Sequence, residues 1–212
     1  MYGTLYVVGN LEEYQANPEE YLAAANLPIK DELLKYNTRS HEWTFDELVS
    51  DVKTLPMGRS FEVGKQLFKV ASCVGCHKLD NEGQVFGPDL AKLDPKKQTT
   101  EHILQSIVDP SKVIDEKFQS HTFLLASGKI ITGMIVKDTA DEVHVVIDPL
   151  AKGKPTVIKK DDIEDQKKSA VSLMPKGLLN KLTREEIYDL LAFVYAKGDK
   201  KHQMFSHEHH NH

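Results

Sequence analysis

The spacing of apolar and polar positions changes twice along the chain. From Gly58 to Ser72, Phe61, Gly64, Leu67, Phe68 and Ala71 fall on one face of an amphipathic helix. Ile103, Leu104 and Ile107 repeat the pattern in a helix capped by Thr99 or Thr100 and stopped by Asp109-Pro110. Ile187, Leu190, Leu191 and Val194 repeat it again, entered through the capping box Thr183-Arg184-Glu185-Glu186 and stopped at Gly198. Between the last two helices, residues 118–168 alternate instead. Phe118 to Ala126, Lys129 to Lys137, Glu142 to Asp148, Thr156 to Lys159 and Ile163 to Gln166 read as strands. Ser127-Gly128 reads as a two-residue hairpin turn, and Asp138 to Asp141 as a second turn. The expected architecture is a mainly helical body carrying a small antiparallel sheet, flat or curled into a barrel-like unit, α+β overall. Gly64 costs its helix about 1 kcal/mol relative to Ala, so another element is expected to pack closely there.

The leading part of the chain is plainer. Tyr2 to Val8 reads as one strand ended by Gly9-Asn10, and its backbone groups need a partner elsewhere. Pro18-Glu19-Glu20 opens a short helix, and Thr44-Phe45-Asp46-Glu47 is a capping box before an apolar face containing Leu48 and Val52. Trp43, just before that cap, is placed to act as a hydrophobic staple. Residues 11–56 carry no recognisable chemistry and read as a linker or a packing extension.

Composition narrows the classes. The 212 residues are 40% hydrophobic and 28% charged, an ordinary globular balance. A net charge of -5 with both signs interspersed leaves no basic footprint for nucleic acid. No apolar run approaches the ~20 residues of a membrane span.

The chemistry concentrates in Cys73-Val74-Gly75-Cys76-His77. Cys-x-x-Cys-His is the attachment signature of a c-type haem, with two thiols for the porphyrin vinyl groups and an adjacent imidazole for the iron. The two intervening residues let one backbone turn reach both vinyls, which implies one covalently bound haem c. A redox Cys-x-x-Cys belongs near a βαβ pattern at a helix start, whereas this one follows a helix. A structural zinc site needs four ligands, and both cysteines of the chain are already in the motif. Haem attachment takes place outside the cytoplasmic membrane, yet the N-terminus reads as no export signal. The chain is therefore expected to be a mature or excised part of a longer periplasmic or otherwise extracytoplasmic protein.

The order helix, CVGCH, Gly87-Pro88-Asp89-Leu90, helix, Met174-Pro175 and final helix resembles a class I cytochrome c. That resemblance implies that the first helix crosses the last at Gly64. It implies that the Pro88 carbonyl accepts the His77 Nδ1–H, and that His77 and Met174 are the axial iron ligands. Met57, Met134 and Met204 are less well placed, and a gap-filling core Met174 is the plain reading beside the ligand. Leu67, Phe68, Phe86, Leu90, Ile103 and Ile107 would line the pocket. The stretch from His77 to Met174 is too long for a minimal member, and the β unit accounts for the excess.

With RSFEVGKQLF, DPSKVIDEKF, GKIITGMIV and SLMPKGLLNKLTREEI, this combination resembles the haem-binding domain family named after Pirellula and Verrucomicrobium types. The implied division is an extension over 1–57, a cytochrome c domain over 58–199 with its β insertion at about 118–168, and a His-rich tail over 200–212. Such domains usually end larger exported proteins with sugar-dehydrogenase-like or copper-domain modules. Met1 to Val8 resembles the final strand of a cupredoxin, with Met1 at a copper-ligand position. The Cys and His ligands of that family are missing, so copper binding is not expected, and an ordinary edge strand is the other reading.

The expected function is that of an electron carrier, not an enzyme, relaying electrons to a redox partner protein or a fused dehydrogenase or copper domain. The alternative is a peroxidase-like haem enzyme or gas sensor with a labile distal ligand. It needs a distal acid–base residue, for which His102 or His121 would serve only if Met174 were displaced. His121 and His144 otherwise read as ordinary strand residues. In the tail, His202, His207, His209, His210 and His212 suit Cu, Zn or Ni, or belong to a solvated end.

Overall fold

The computed structural model describes residues 39–148 and 154–206. The chain divides into Met1–Ser40 and His41–His212, and the second unit is described here. The expected Tyr2–Val8 strand, the cupredoxin likeness and the helix at Pro18 lie outside the described residues, as do His207, His209, His210 and His212.

Four helices form the helical part: α1 (Phe45–Lys53), α2 (Phe61–Val70), α3 (Thr100–Val108) and α4 (Arg184–Tyr195). Each begins at a hydroxyl that accepts a first-turn amide, from Thr44, Ser60, Thr99 and Thr183 respectively. Thr44 and Thr183 complete full capping boxes with Glu47 and Glu186. α4 is the hub, burying Ile187, Tyr188 and the run from Leu190 to Val194.

Against α4 lies α2. A Cβ on Gly64 would stand 2.3 Å from the Asp189 carbonyl oxygen and 2.7 Å from the Phe193 Cβ. Glycine is what lets the two backbones meet. The Phe61 ring packs edge-on at 5.3 Å from both Phe193 and Phe205, and the Ser60 amide donates to the Asp189 carboxylate at 3.0 Å. Burial raises the Asp189 pKa, opposed by that amide and by Arg59.

Of the two readings of residues 11–56, packing is what α1 does. Leu48 and Val52 are fully buried, and the Val52 carbonyl accepts from Thr100 Oγ1 at 2.8 Å. Arg184 donates to the Glu47 carbonyl and the Asp51 carboxylate at 2.7 and 2.8 Å. Trp43 reaches across to α4: its indole N–H donates to the Leu182 carbonyl at 3.0 Å, and the Arg184 guanidinium lies over its ring. The start of the His-rich stretch is also built into this body. His202 caps a single turn at Gln203–Phe205, Met204 is buried, and Lys200 pairs with Glu62.

Between α3 and α4 in sequence lie β1 (His121–Leu125), β2 (Ile130–Asp138), β3 (Glu142–Val146), β4 (Thr156–Lys159) and β5 (Ile163–Lys168). All neighbours are antiparallel, in the order β4-β3-β2-β1-β5. The edge strands β4 and β5 are joined by only Lys160–Asp162, so the sheet must curl for them to meet. Register shifts at Leu124/Leu125 and Ile135/Lys137 supply the bend. The first half of β2 pairs with β1 and the second with β3. Gly133 helps here too, since a Cβ would meet the Val146 carbonyl at 2.4 Å. The interior is filled by Phe123, Ile131, Val143, Val145 and Ile158.

Two local expectations are corrected. The β1–β2 connection has three residues, not two. The Gly128 amide donates to the Leu125 carbonyl at 2.7 Å and Leu125 pairs with Lys129, leaving Gly128 left-handed at φ +79. That geometry is a type I turn followed by a glycine bulge. β1 also starts at His121, not Phe118, because Asp115 accepts the Lys117 amide and turns residues Glu116–Phe118 into a single 3-10 turn.

Gly64→Ala should destabilise the fold by about 1–3 kcal/mol through overpacking, despite the better helix propensity of alanine. Chemical denaturation checks this, and an unchanged midpoint would contradict the close crossing. Glu47 gives a pH signature. The Thr44 hydroxyl and amide, with His41 beyond, hold its carboxyl at about 2, against an ordinary 4.5. A depressed carboxylate pKa stabilises the fold above the unfolded value and loses that contribution as pH falls through the folded one. Glu47→Gln should therefore flatten the acid limb of the stability curve between pH 4.5 and about 2.

Candidate functional site

The motif starts where α2 stops. Ser72 takes a left-handed backbone at φ 61, which turns the chain out of the helix, and Cys73–Gly75 forms one 3-10 turn. The Cys73 carbonyl accepts the amides of Cys76 at 3.1 Å and His77 at 2.9 Å, so the pentapeptide is wound about one oxygen.

Burial pushes the Cys73 thiol up to about 12. Burial also raises the Cys76 thiol, helped by the Asp148 carboxylate two residues past β3. Both sulfurs thus remain protonated near neutrality and are not joined in a disulfide. A redox-active Cys-x-x-Cys has the opposite arrangement, a depressed pKa that supplies a thiolate.

The loop after His77 is folded tightly onto it. Leu79 and Glu82 exchange two backbone hydrogen bonds at 2.9 Å around Asp80 and Asn81, both with positive φ. Lys65 and Lys69 of α2 hold Asp80 and Glu82 through contacts of 2.6 to 3.3 Å. The Gly87 amide donates to the Cys76 carbonyl at 2.8 Å, and the Leu90 amide to the Lys78 carbonyl at 2.9 Å. At Gly83, a Cβ would collide with the His77 carbonyl at 2.0 Å; at Gly87 it would stand 2.5 Å from the imidazole Cε1.

The His77 Nδ1 lies 3.0 Å from the Pro88 carbonyl oxygen. A carbonyl can only accept, so Nδ1 carries the hydrogen and the neutral ring keeps its lone pair on Nε2. Burial lowers the His77 pKa, opposed by the Pro88 bond, and so favours this neutral form. A metal-ligating imidazole needs both properties, a free lone pair and a second nitrogen tied to an acceptor.

Met174 is half-buried in the segment between β5 and α4, where its amide donates to Ser172 Oγ at 3.1 Å. Ser172 is in turn held by Ser111, just past α3. Of the apolar residues expected around the site, Leu67, Phe68, Ile103 and Ile107 are buried, whereas Phe86 and Leu90 stay partly exposed. His144 pairs with Glu142 at 2.7 Å, and His102 is half-exposed on α3. His121 sits in β1 beside Phe123, its buried Nδ1 lacking a hydrogen-bond partner among the described residues. A cleft of about 410 Å³ between Trp43, Ile107 and Leu179 contains no motif residue, so donor chemistry rather than concavity marks the site.

No cluster of three or more His, Cys, Asp or Glu suited to a bare metal ion occurs among the described residues. The donors that are present fit a metal that brings most of its own ligands: one neutral imidazole for an iron, and two protonated thiols for covalent attachment to the ring around it. Gly87 stands in the Gly87-Pro88-Asp89-Leu90 run, but no role of its own could be read for it from the sequence. Its value lies in closeness to the imidazole, and a glycine beside a proline in a loop gives only a faint signal of that.

Gly87→Ala should push the imidazole off the Pro88 carbonyl and cost about 0.5–1.5 kcal/mol for the lost bond. Nitrogen NMR of the ring tests this, and an unchanged Nδ1–H tautomer and linewidth would reject it.

No curated protein matches the chain. Among the described residues no helix is long and apolar enough to cross a membrane. Residues 61–125, from the start of α2 to the end of β1, match the family model Cytochrome c; the match supports a c-type cytochrome domain, the kind that binds covalent haem and generally serves as an electron carrier.

Proposed function

We propose that the chain is an electron-transfer unit carrying one haem c, attached through Cys73 and Cys76 and ligated by His77 and Met174. The observation that carries this reading is the His77 imidazole, its Nδ1 committed to the Pro88 carbonyl at 3.0 Å, at the end of a single turn that also carries Cys73 and Cys76. When bound, the haem supplies a one-electron ferric–ferrous couple. Everything else is the protein's part. Pro88 and Gly87 hold the imidazole at one angle, which keeps Nε2 pointed at a single position. Cys73 and Cys76 tie the group to the end of α2, so that it does not exchange. Met174 would supply the second protein ligand to the iron, a thioether that would exclude substrates and favour the reduced form relative to a second imidazole.

The stretch β1–β5 is, on this reading, an insertion before the axial methionine, as in the Pirellula and Verrucomicrobium type of haem-binding domain. The family match ends in β1, short of Met174 and α4, which agrees with a departure from the minimal domain at that point. An extracytoplasmic location and a partner that is a separate redox protein or a fused dehydrogenase or copper domain complete the proposal. Docking to such a partner would be weak and steered by charge.

The test is the visible spectrum of protein matured with haem. Oxidised wild type should show the weak long-wavelength charge-transfer band of a thioether bound to ferric iron, and Met174→Ala should abolish it. Changing Cys73 and Cys76 to Ala should release the haem on a denaturing gel. A band that survives Met174→Ala would reject the ligand assignment. Rapid carbon monoxide binding to reduced wild type would replace electron transfer by the gas-binding alternative.

A further inference from the structure

The segment Ser169–Lys176 is fastened at both ends to different bodies. On the sheet side, the Ser169 amide donates to the Ser120 carbonyl at 2.9 Å, and Gln119 Nε2 donates to the Ser169 carbonyl. Ser120 Oγ donates to the Val171 carbonyl at 3.0 Å. On the helical side, the Ser172 amide donates to Ser111 Oγ at 3.1 Å, and Lys176 pairs with Asp109 at 2.9 Å. Within the segment, Ser169 Oγ accepts the Val171 amide and Ser172 Oγ accepts the Met174 amide, each at 3.1 Å.

Two features show that the sheet side is a built anchor. Ser120 is 1% exposed and is the one buried polar residue among the described ones. Val171 meanwhile turns its side chain to solvent at 65% exposure while its carbonyl accepts from Ser120 Oγ at 3.0 Å and from Ser169 Oγ at 3.2 Å. With Val171 exposed, these hydrogen bonds are what hold its backbone, and Ser120 is the one donor that reaches it from outside the segment.

We infer that the five-stranded sheet is the abutment of the strap bearing Met174, and that Ser120 is a positioning residue setting how readily that thioether leaves the iron. The inference rests on the assignment of Met174 as a ligand. A hydroxyl bond at Val171 and a second at Ser172 fix two of the three residues before Met174, leaving the strap little slack. Removing either bond raises the fraction of time the strap is open. A competing small ligand then binds more tightly in proportion, because apparent affinity scales with the competent population.

The experiment titrates imidazole into oxidised, haem-loaded protein and follows the charge-transfer band, with hydrogen–deuterium exchange of the 169–174 amides alongside. Ser120→Ala should tighten apparent imidazole affinity by about 2- to 13-fold, the range expected for one lost hydrogen bond. The same variant should speed exchange in the strap, and Ser120→Thr should restore both. Ser111→Ala, acting from the helical side, should move both readouts the same way and serves if Ser120→Ala does not fold. Phe61→Leu, which loosens the α2–α4 seam, is the control for general destabilisation. If Ser120→Ala and Ser111→Ala match Phe61→Leu in imidazole affinity and strap exchange, the anchor idea is overturned while the ligand assignment stands. If wild type shows no band, or Met174→Ala keeps it, the ligand assignment itself has failed.

Discussion

The contact between α2 and α4 leaves no room for a side chain at position 64, and much of the molecule follows from that closeness. With a Cβ excluded by the Asp189 carbonyl and the Phe193 side chain, the two helices cross backbone to backbone. Phe61 then reaches Phe193 and Phe205, and the Ser60 amide reaches the Asp189 carboxylate. The crossing fixes where α2 ends, and so where Ser72 reverses the chain and Cys73–His77 begins. α4 in turn receives α1 through Arg184 and Tyr188, both bonded to Asp51. A protein interior packed to crystal-like density transmits such a constraint instead of absorbing it.

The candidate site is built from neutral groups. Burial raises both thiols and lowers the imidazole, so all three are driven to their uncharged forms. That is costly chemistry for a thiolate enzyme and suitable chemistry for a covalent tether and an iron ligand. The ion pairs of Lys65 and Lys69 with Asp80 and Glu82 look like the clamp on the following loop, but at partly exposed positions such pairs contribute little. The loop is held more firmly by Gly83 against the His77 carbonyl, Gly87 against the ring, and the two turn bonds between Leu79 and Glu82.

The sheet poses a different problem. A five-stranded antiparallel sheet with open edges invites pairing with other chains. The short link Lys160–Asp162 draws one end of β4 to the start of β5, and two register shifts and a glycine at 133 accompany the curl. The entry and exit of the sheet, Gln119–Ser120 and Ser169, are bonded to each other. That leaves the chain emerging from β5 beside the place where it entered, directed at Ser111 and the end of α3.

What local chemistry decides was legible in the amino-acid sequence. Thr44, Thr99 and Thr183 cap their helices because a hydroxyl three residues before an amide is a local arrangement. The strands followed from alternation, and the motif from the fixed spacing of Cys73, Cys76 and His77. Even the close approach at Gly64 could be expected, since a glycine inside an apolar helical face needs a reason. Tertiary structure alone decided the rest. Nothing within a few residues of Trp43 says that its indole will donate to Leu182, and the expected bond from His77 to Pro88 does not by itself say that a Cβ at Gly87 would run into the ring. Ser127-Gly128 was visible as a turn, but only the pairing of Leu125 with Lys129 made the loop three residues long. Curling of the sheet depended on two distant register shifts and a short link. The fastening of the Met174 segment to Ser120 and Ser111 joins residues about fifty to sixty positions apart. Contacts of that range are set by which surfaces the folded chain brings together, and a pattern read along the chain has no access to them.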